Sequence, residues 1–422
     1  MHTIKNIIWS MCTLSLGFLM LLWIGSESYS QIKTISPIPP VQHVTTGPQN
    51  HFIGNYQTCP WSDSERYLLC LETTFQDRQP QAGDVAEIRL IDLNTKNLIA
   101  LGQTSAWNFQ QGAMQQWLSS SPDTLIIYND RVSRHFISTI INIYSGKKSD
   151  IRFPVSAVSQ NGKKAISINF PRLYVMESEY GYPGGVGGYV ESAHPKDDGI
   201  FLIDIQLGTS KLILSMNQLF NLFPFPKKEI QGKPMWFNHT LFNPNDTRIF
   251  FIANNQKKQK EQRYTAAFTL NLDGSGLRNV IPYQWGVFHF GWRSPIELLA
   301  TTFYQGGEQI SFIAGNEEKE YRILGKNVLT KDGGIQISPN GQWMVSDTPP
   351  DERLMRSLLL INLKTEEVFK LGEFYSPPDL TGPVRCDLQP VWNHTGTKIC
   401  FNSAHEGTRQ IYIMDLSEIV KQ

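Results

Sequence analysis

The chain has 422 residues, with Lys plus Arg and Asp plus Glu equal at 38 each and a pI near 7.1. That balance excludes a bulk basic field for nucleic acid and an acidic tail. Aromatic residues make up 11% of the chain, which suits sheets packed face to face and the stacking of sugar rings.

Residues 1–30 read as a signal peptide or a membrane anchor. Lys5 gives a weakly positive start, and Ile7 to Ile24 is an uncharged, mostly apolar run. The run is longer than a usual signal core and close to the minimum for a membrane span. Ser28 and Ser30 stand where a signal peptidase reads small residues, ahead of Gln31. Either reading exports the chain to a periplasmic or extracellular location, with the membrane touched only through this segment. Residues 31–50, with Ser36-Pro37-Ile38-Pro39-Pro40, read as a Pro-containing linker.

From residue 51 to 422 one pattern repeats. Pro60-Trp61-Ser62-Asp63 leads into Tyr67–Leu71 and then Ile88–Leu93. Equivalent phrases are Ser121-Pro122-Asp123, Ser159-Gln160-Asn161-Gly162, Asn243-Pro244-Asn245-Asp246, Trp292-Arg293-Ser294-Pro295, Ser338-Pro339-Asn340-Gly341 and Val391-Trp392-Asn393-His394-Thr395-Gly396. Each is a polar turn followed by β-branched or aromatic runs of period two, the signature of a hairpin and a further strand. One such unit cannot bury its own faces, so it needs copies of itself. Seven copies predict an all-β, seven-bladed β-propeller with four-stranded antiparallel blades. In such rings the N-terminal segment often supplies the outer strand of the last blade.

Cys59 and Cys70 sit symmetrically about the first turn. Opposed strand residues have Cα separations that admit a disulfide, so this pair is expected to bond in an oxidising compartment. The alternative is buried thiols acting as small hydrophobes.

Several stretches carry candidate chemistry. Trp107-Asn108-Phe109-Gln110-Gln111-Gly112 opens the second unit and is dense in amides on what should be an inner strand, where Gln111 is a candidate ligand-binding residue. Arg131 ends a strand at the rim. The third unit holds a long insertion with Arg172, then Tyr180, Tyr182 and the glycines 184, 185, 187 and 188. It lacks the strand, helix and Lys-Ser/Thr of a phosphate loop, and reads as a mobile, Tyr-bearing lid. His239 and His289 fall at comparable positions on consecutive inner strands, which converge on the axis. Neutral imidazole there suits a base or a metal ligand.

These repeats resemble the TolB-like and WD40-like propeller repeats over most of the chain after residue 50. More narrowly, Trp107 to Gly112, Asn238-His239, His289 with Trp292, Asp332-Gly333 and Arg385-Cys386-Asp387-Leu388 resemble the propeller polysaccharide lyases of the oligogalacturonate-lyase and short ulvan-lyase types. The resemblance implies β-elimination on an acidic polysaccharide or oligosaccharide. His289 or His239 would be the base, Arg172 or Arg131 would hold the uronate carboxylate, and Tyr182 or Tyr180 would meet the leaving oxygen. Gln111, Arg131, Tyr180 and Arg385 are the expected substrate-binding residues. It also implies a divalent metal ion, with His239, His289 and Gln389 as ligands. The pattern departs from the family at Gly334 and Gln389, where histidines are usual. The rival reading is a non-catalytic glycan- or protein-binding propeller with a degenerate site. No nucleic-acid partner is expected, and a monomer is.

Overall fold

The computed structural model describes residues 31–54, 57–222, 227–256 and 263–421. The signal or anchor reading at 1–30 lies outside the described residues. Seven antiparallel sheets follow one another along the chain, spanning 50–104, 116–151, 157–215, 235–281, 290–324, 336–375 and 391–415. In each, strands pair in sequence order from the inside outward, so each sheet is one blade of a propeller. The second strands are almost wholly apolar because neighbouring blades cover both faces. Ile249, Phe250, Phe251, Ile252 and Ala253 are all at most 4% exposed.

Every repeated turn phrase joins the inner strand of a blade to the second strand. The turns also join blades. Asp123, at φ 51°, accepts from the Ser64 N–H of the preceding blade at 3.1 Å. Asp246, at φ 56°, accepts from Gln160 N and Asn161 N at 2.6 and 2.9 Å. Glu65, at φ 58°, accepts from Thr395 N at 2.8 Å across the seam between last and first blades. These carboxylates satisfy backbone donors that a turn otherwise leaves to water.

Within 31–50, read above as a linker, two short strands lie on the ring. Val41–His43 pairs antiparallel with Tyr412, Ile413 and Met414 and completes the last blade as its fourth strand. Lys33–Thr34 adds a fifth, parallel strand to the sixth blade at Phe369 and Lys370.

The disulfide expectation is not met. Cys59 and Cys70 are both thiols. Cys59 Sγ turns to the last blade instead, 3.9 Å from the Trp392 carbonyl and 3.8 Å from His394 Nε2. Burial pushes its thiol up to about 12, so it packs as a small hydrophobe.

The third blade carries the main insertion. Asn169 caps the helix Phe170–Met176 by accepting from Arg172 N at 2.8 Å, with Pro171 in the first turn. A second short helix, Met216–Leu222, follows the blade's outer strand. No helix among the described residues is long and apolar enough to cross a membrane.

Candidate active site

The inner strands begin at one end of the ring, at the opposite end from the repeated turns. There they surround a cavity of about 800 Å³, within the range of small-ligand sites. Met114, His239, His289, Gly334 and Gln389 stand three residues before the last inner-strand residue of blades two, four, five, six and seven. The same geometric position recurs because the same strand recurs. Met114, His239 and Gln389 hold it with positive φ, at 53°, 51° and 44°. In the fourth blade this breaks the pairing register between Asn238 and Leu241, a bulge that re-aims the side chain.

His239 and His289 both line the cavity. Burial, then the nearby His289, Arg263 and Arg385, drives His239 down to about 3. Its ring meets Tyr180 edge-on at 4.8 Å and Phe290 at 5.9 Å. His289 is different. Its Nδ1 lies 2.9 Å from Asp332 Oδ1, and Asp332 also accepts from Thr301 Oγ1 at 2.7 Å. Burial pushes the imidazolium down, but Asp332, backed by Asp347 and Asp387, outweighs it and the net direction is up. The pairing fixes the ring, and with Nδ1–H donating to Asp332 the acceptor lone pair of the neutral imidazole is on Nε2.

Arg385 lines the same cavity. Its Nε donates to Asp387 Oδ2 at 2.7 Å, Nη1 to Glu179 Oε2 at 2.7 Å, and Nη2 to the Tyr180 hydroxyl at 3.1 Å. Burial and the adjacent Glu179 and Glu177 carboxylates push the Tyr180 phenol up, although Arg385 opposes them, so Tyr180 stays protonated. Gln111 lines the wall. Gln389 donates through Nε2 to the Gln110 carbonyl at 3.4 Å. Trp285, Phe288 and Phe303 form an aromatic side, with Phe288 and Phe303 edge to face at 5.3 Å. Rings so placed suit the apolar face of a sugar.

Three expected site residues lie elsewhere. Arg172 is 1% exposed and spends its guanidinium on the carbonyls of Met235, Tyr189, Ser192 and Ala193. It ties the insertion to the fourth blade and does not meet a substrate carboxylate. Tyr182 is fully buried, stacked on Phe170 at 4.6 Å, with its hydroxyl accepting from Asn129 at 3.1 Å. Arg131 lies on the outer rim, bonded to the carbonyls of Ser133, Gly184 and Ala82. The glycine-rich stretch is packed tightly. A Cβ on Gly181 would stand 2.2 Å from the Tyr174 backbone nitrogen, and one on Gly185 2.4 Å from the Phe136 ring. Tyr182→Phe is therefore expected to cost about 1 kcal/mol of stability and leave ligand binding and turnover unchanged. A melting curve beside an activity or binding assay checks both.

Sequence reasoning missed the acidic partners. Asp332 reaches His289 from the connection between blades five and six. Glu177, in the insertion, accepts from Trp236 Nε1 and Asn238 Nδ2 at 3.0 and 3.1 Å and pairs with Arg263 at 2.6 Å. The one signal available for Asp332 was its place in the Asp332-Gly333 pair that carries part of the lyase resemblance. Nothing in the local sequence marks Glu177 or Glu179.

The donors at the equivalent inner-strand positions do not fit the implied metal. They are two imidazoles, the Gln389 amide and a glycine. Gly334 has no side chain to add a ligand, and a Cβ there would stand 3.1 Å from Asp347 Oδ1. No group of three His, Cys, Asp or Glu side chains among the described residues is arranged to hold an ion.

The chain is a seven-bladed β-propeller with a polar and aromatic cavity at one end of its axis. No family model matches the chain, and no curated relative does. Among solved structures it is similar to an oligogalacturonate lyase from Vibrio parahaemolyticus, at 14% identity and a TM-score of 0.64, covering 92% of this chain and 96% of that one. It is also similar to an oligogalacturonate lyase in complex with manganese, at 16% identity and a TM-score of 0.66, covering 93% and 97%. The tricorn protease shares the fold over 89% of this chain and 35% of its own, at 10% identity and a TM-score of 0.52. At these identities the likeness is one of fold.

Proposed function

We propose that this propeller is exported and that its cavity binds a uronic-acid-containing oligosaccharide and cleaves it by β-elimination. The observation that carries the reading is the His289–Asp332 pair at 2.9 Å on the wall of a cavity that also holds Arg385 and Tyr180. In such a reaction the C–H next to the sugar carboxylate gives its proton to a base. The electron pair forms a ring double bond, and the glycosidic C–O bond breaks with its oxygen taking a proton. His289 Nε2 is the base, held by Asp332. Arg385 neutralises the carboxylate as negative charge builds on it. The neutral Tyr180 hydroxyl supplies the proton to the leaving oxygen. His239, kept uncharged by burial, borders the reacting centre without adding charge. No metal enters these steps.

One observation favours a second reading, a glycan-binding propeller without turnover. Four hydrogen bonds from Arg385 are already made inside the protein. The test is ultraviolet absorbance of unsaturated uronate over a panel of acidic polysaccharides, with calorimetry on the same panel. New absorbance with oligogalacturonate or another polyuronate supports the lyase. Binding without absorbance supports the second reading, and neither signal removes the cavity as a glycan site. Recovery of full-length soluble protein from the cytoplasm would count against export.

A further inference from the structure

We infer that Glu179 stands in for the ligand's carboxylate on Arg385, an internal competitor that an acidic ligand replaces and a neutral one leaves in place. The inference rests on the acidic-sugar reading above. Five carboxylates and three guanidiniums line the cavity, an acidic surplus that ought to repel a uronate. The pairing pattern resolves the conflict. Asp387 is shared, accepting from Arg356 Nη1 at 2.9 Å through Oδ1 and from Arg385 Nε at 2.7 Å through Oδ2. Arg356 is 7% exposed, so one full positive charge of that trio is balanced by Asp387. The remaining charge, on Arg385, is met by Glu179, whose own side chain is 26% exposed and, among the described residues, reaches Arg385 alone.

The backbone around Glu179 is anchored on both sides. Glu177 is locked by Trp236, Asn238 and Arg263. On the far side the Gly181 carbonyl accepts from Asn108 Nδ2 at 3.1 Å and the Tyr182 ring is buried. Between these anchors Glu179 sits at the apex of a turn closed by Tyr180 N to the Glu177 carbonyl at 3.1 Å. A side-chain rotation into solvent suffices to release it, and the loop need not move. A neutral ligand that displaced Glu179 would strand the charge on Arg385. An anionic ligand replaces one carboxylate with another and strands nothing. A neutral ligand therefore leaves Glu179 in place, and only an anionic one competes with it for Arg385.

The test is titration of galacturonate, which has no glycosidic bond to break, and of its methyl ester into wild type, Glu179→Gln and Glu179→Ala. Melting curves establish that all three are folded. Both variants should bind the acid about tenfold more tightly than wild type, with no gain for the ester. Adding Arg385→Met to Glu179→Gln should abolish the gain. Equal affinity of wild type and both variants for the acid would overturn the inference and leave the glycan reading standing. So would an equal gain for acid and ester. Failure of all three proteins to bind the acid overturns the glycan reading and this inference together.

Discussion

His289→Ala is expected to lower turnover of an acidic oligosaccharide by about 10²- to 10⁴-fold, the usual worth of a positioned general base. The variant should remain folded. It leaves Asp332 without its imidazole but with the Thr301 hydroxyl bond, at a stability cost of about 1–3 kcal/mol. The pH profile separates a base from a merely structural histidine. Only neutral imidazole accepts a proton, so activity should rise with pH through the His289 value. Asp332 sets the upward direction of that value, so the acidic limb should lie above an unperturbed imidazole, about 6.5. Asp332→Asn should move the limb to lower pH and reduce turnover. An unmoved limb would remove Asp332 from its positioning role. The stability signs follow from linkage. The raised His289 value gives stability that is complete below the unfolded value and lost as pH rises through the folded one. Burial raises the Asp332 carboxyl, but His289 outweighs it and the net direction is down. That part of the stability is present above the unfolded value and lost as pH falls through the folded one.

Asp387→Ala should be the most destabilising single change in the cavity. It leaves Arg356 and Arg385 facing one another with their shared carboxylate gone, a loss of about 3–5 kcal/mol for a broken buried pair. Denaturant melts measure it. The double change Asp387→Leu with Arg356→Met should cost less than Asp387→Ala, because no buried charge is then stranded. Burial raises the Asp387 carboxyl, while Arg385 and Arg356 more than reverse this and hold it low. Its contribution is therefore intact above the ordinary carboxylate range and disappears as pH falls through the depressed value. By contrast, removing Glu373 from the exposed Arg353 should change stability by less than about 1 kcal/mol. Equal effects at the two sites would refute the idea that the Asp387 pairs are the ones that count.

What the sequence revealed follows from which interactions are local. Turn phrases and period-two runs are set by neighbours in the chain, so Tyr67, Ile249 and Ile411 fell on the strands expected for them. His239, His289, Gln111, Arg385 and Gln389 reach the cavity because the inner strands of a ring, and the segments leading into them, must converge there; Tyr180 reaches it from the insertion. Arg172 and Tyr182 were misread because the insertion has no repeat to calibrate it. Its side chains are aimed by packing against Phe170 and the fourth blade. The roles of Asp332 and Glu179 depend on partners 43 and 206 residues away. Cys59 and Cys70 show the limit of symmetry arguments: opposition across a hairpin does not fix which way a side chain turns.

The last blade has a consequence for how the protein is made. Its fourth strand, Val41–His43, is synthesised among the first, whereas the strand it pairs with, Gln410–Asp415, is among the last. The hydrogen bond from Ile411 N to the Thr45 side-chain Oγ1 spans 366 residues. A chain emerging from the ribosome can fold its early blades in turn, but the segment around Val41 must wait with its strand edge bare. Circle closure thus cannot precede synthesis of the last blade, and it is a pairing of high contact order. During that wait a bare edge can pair with the wrong chain, so a partner that shields residues 31–45 until release would raise the yield of closed rings.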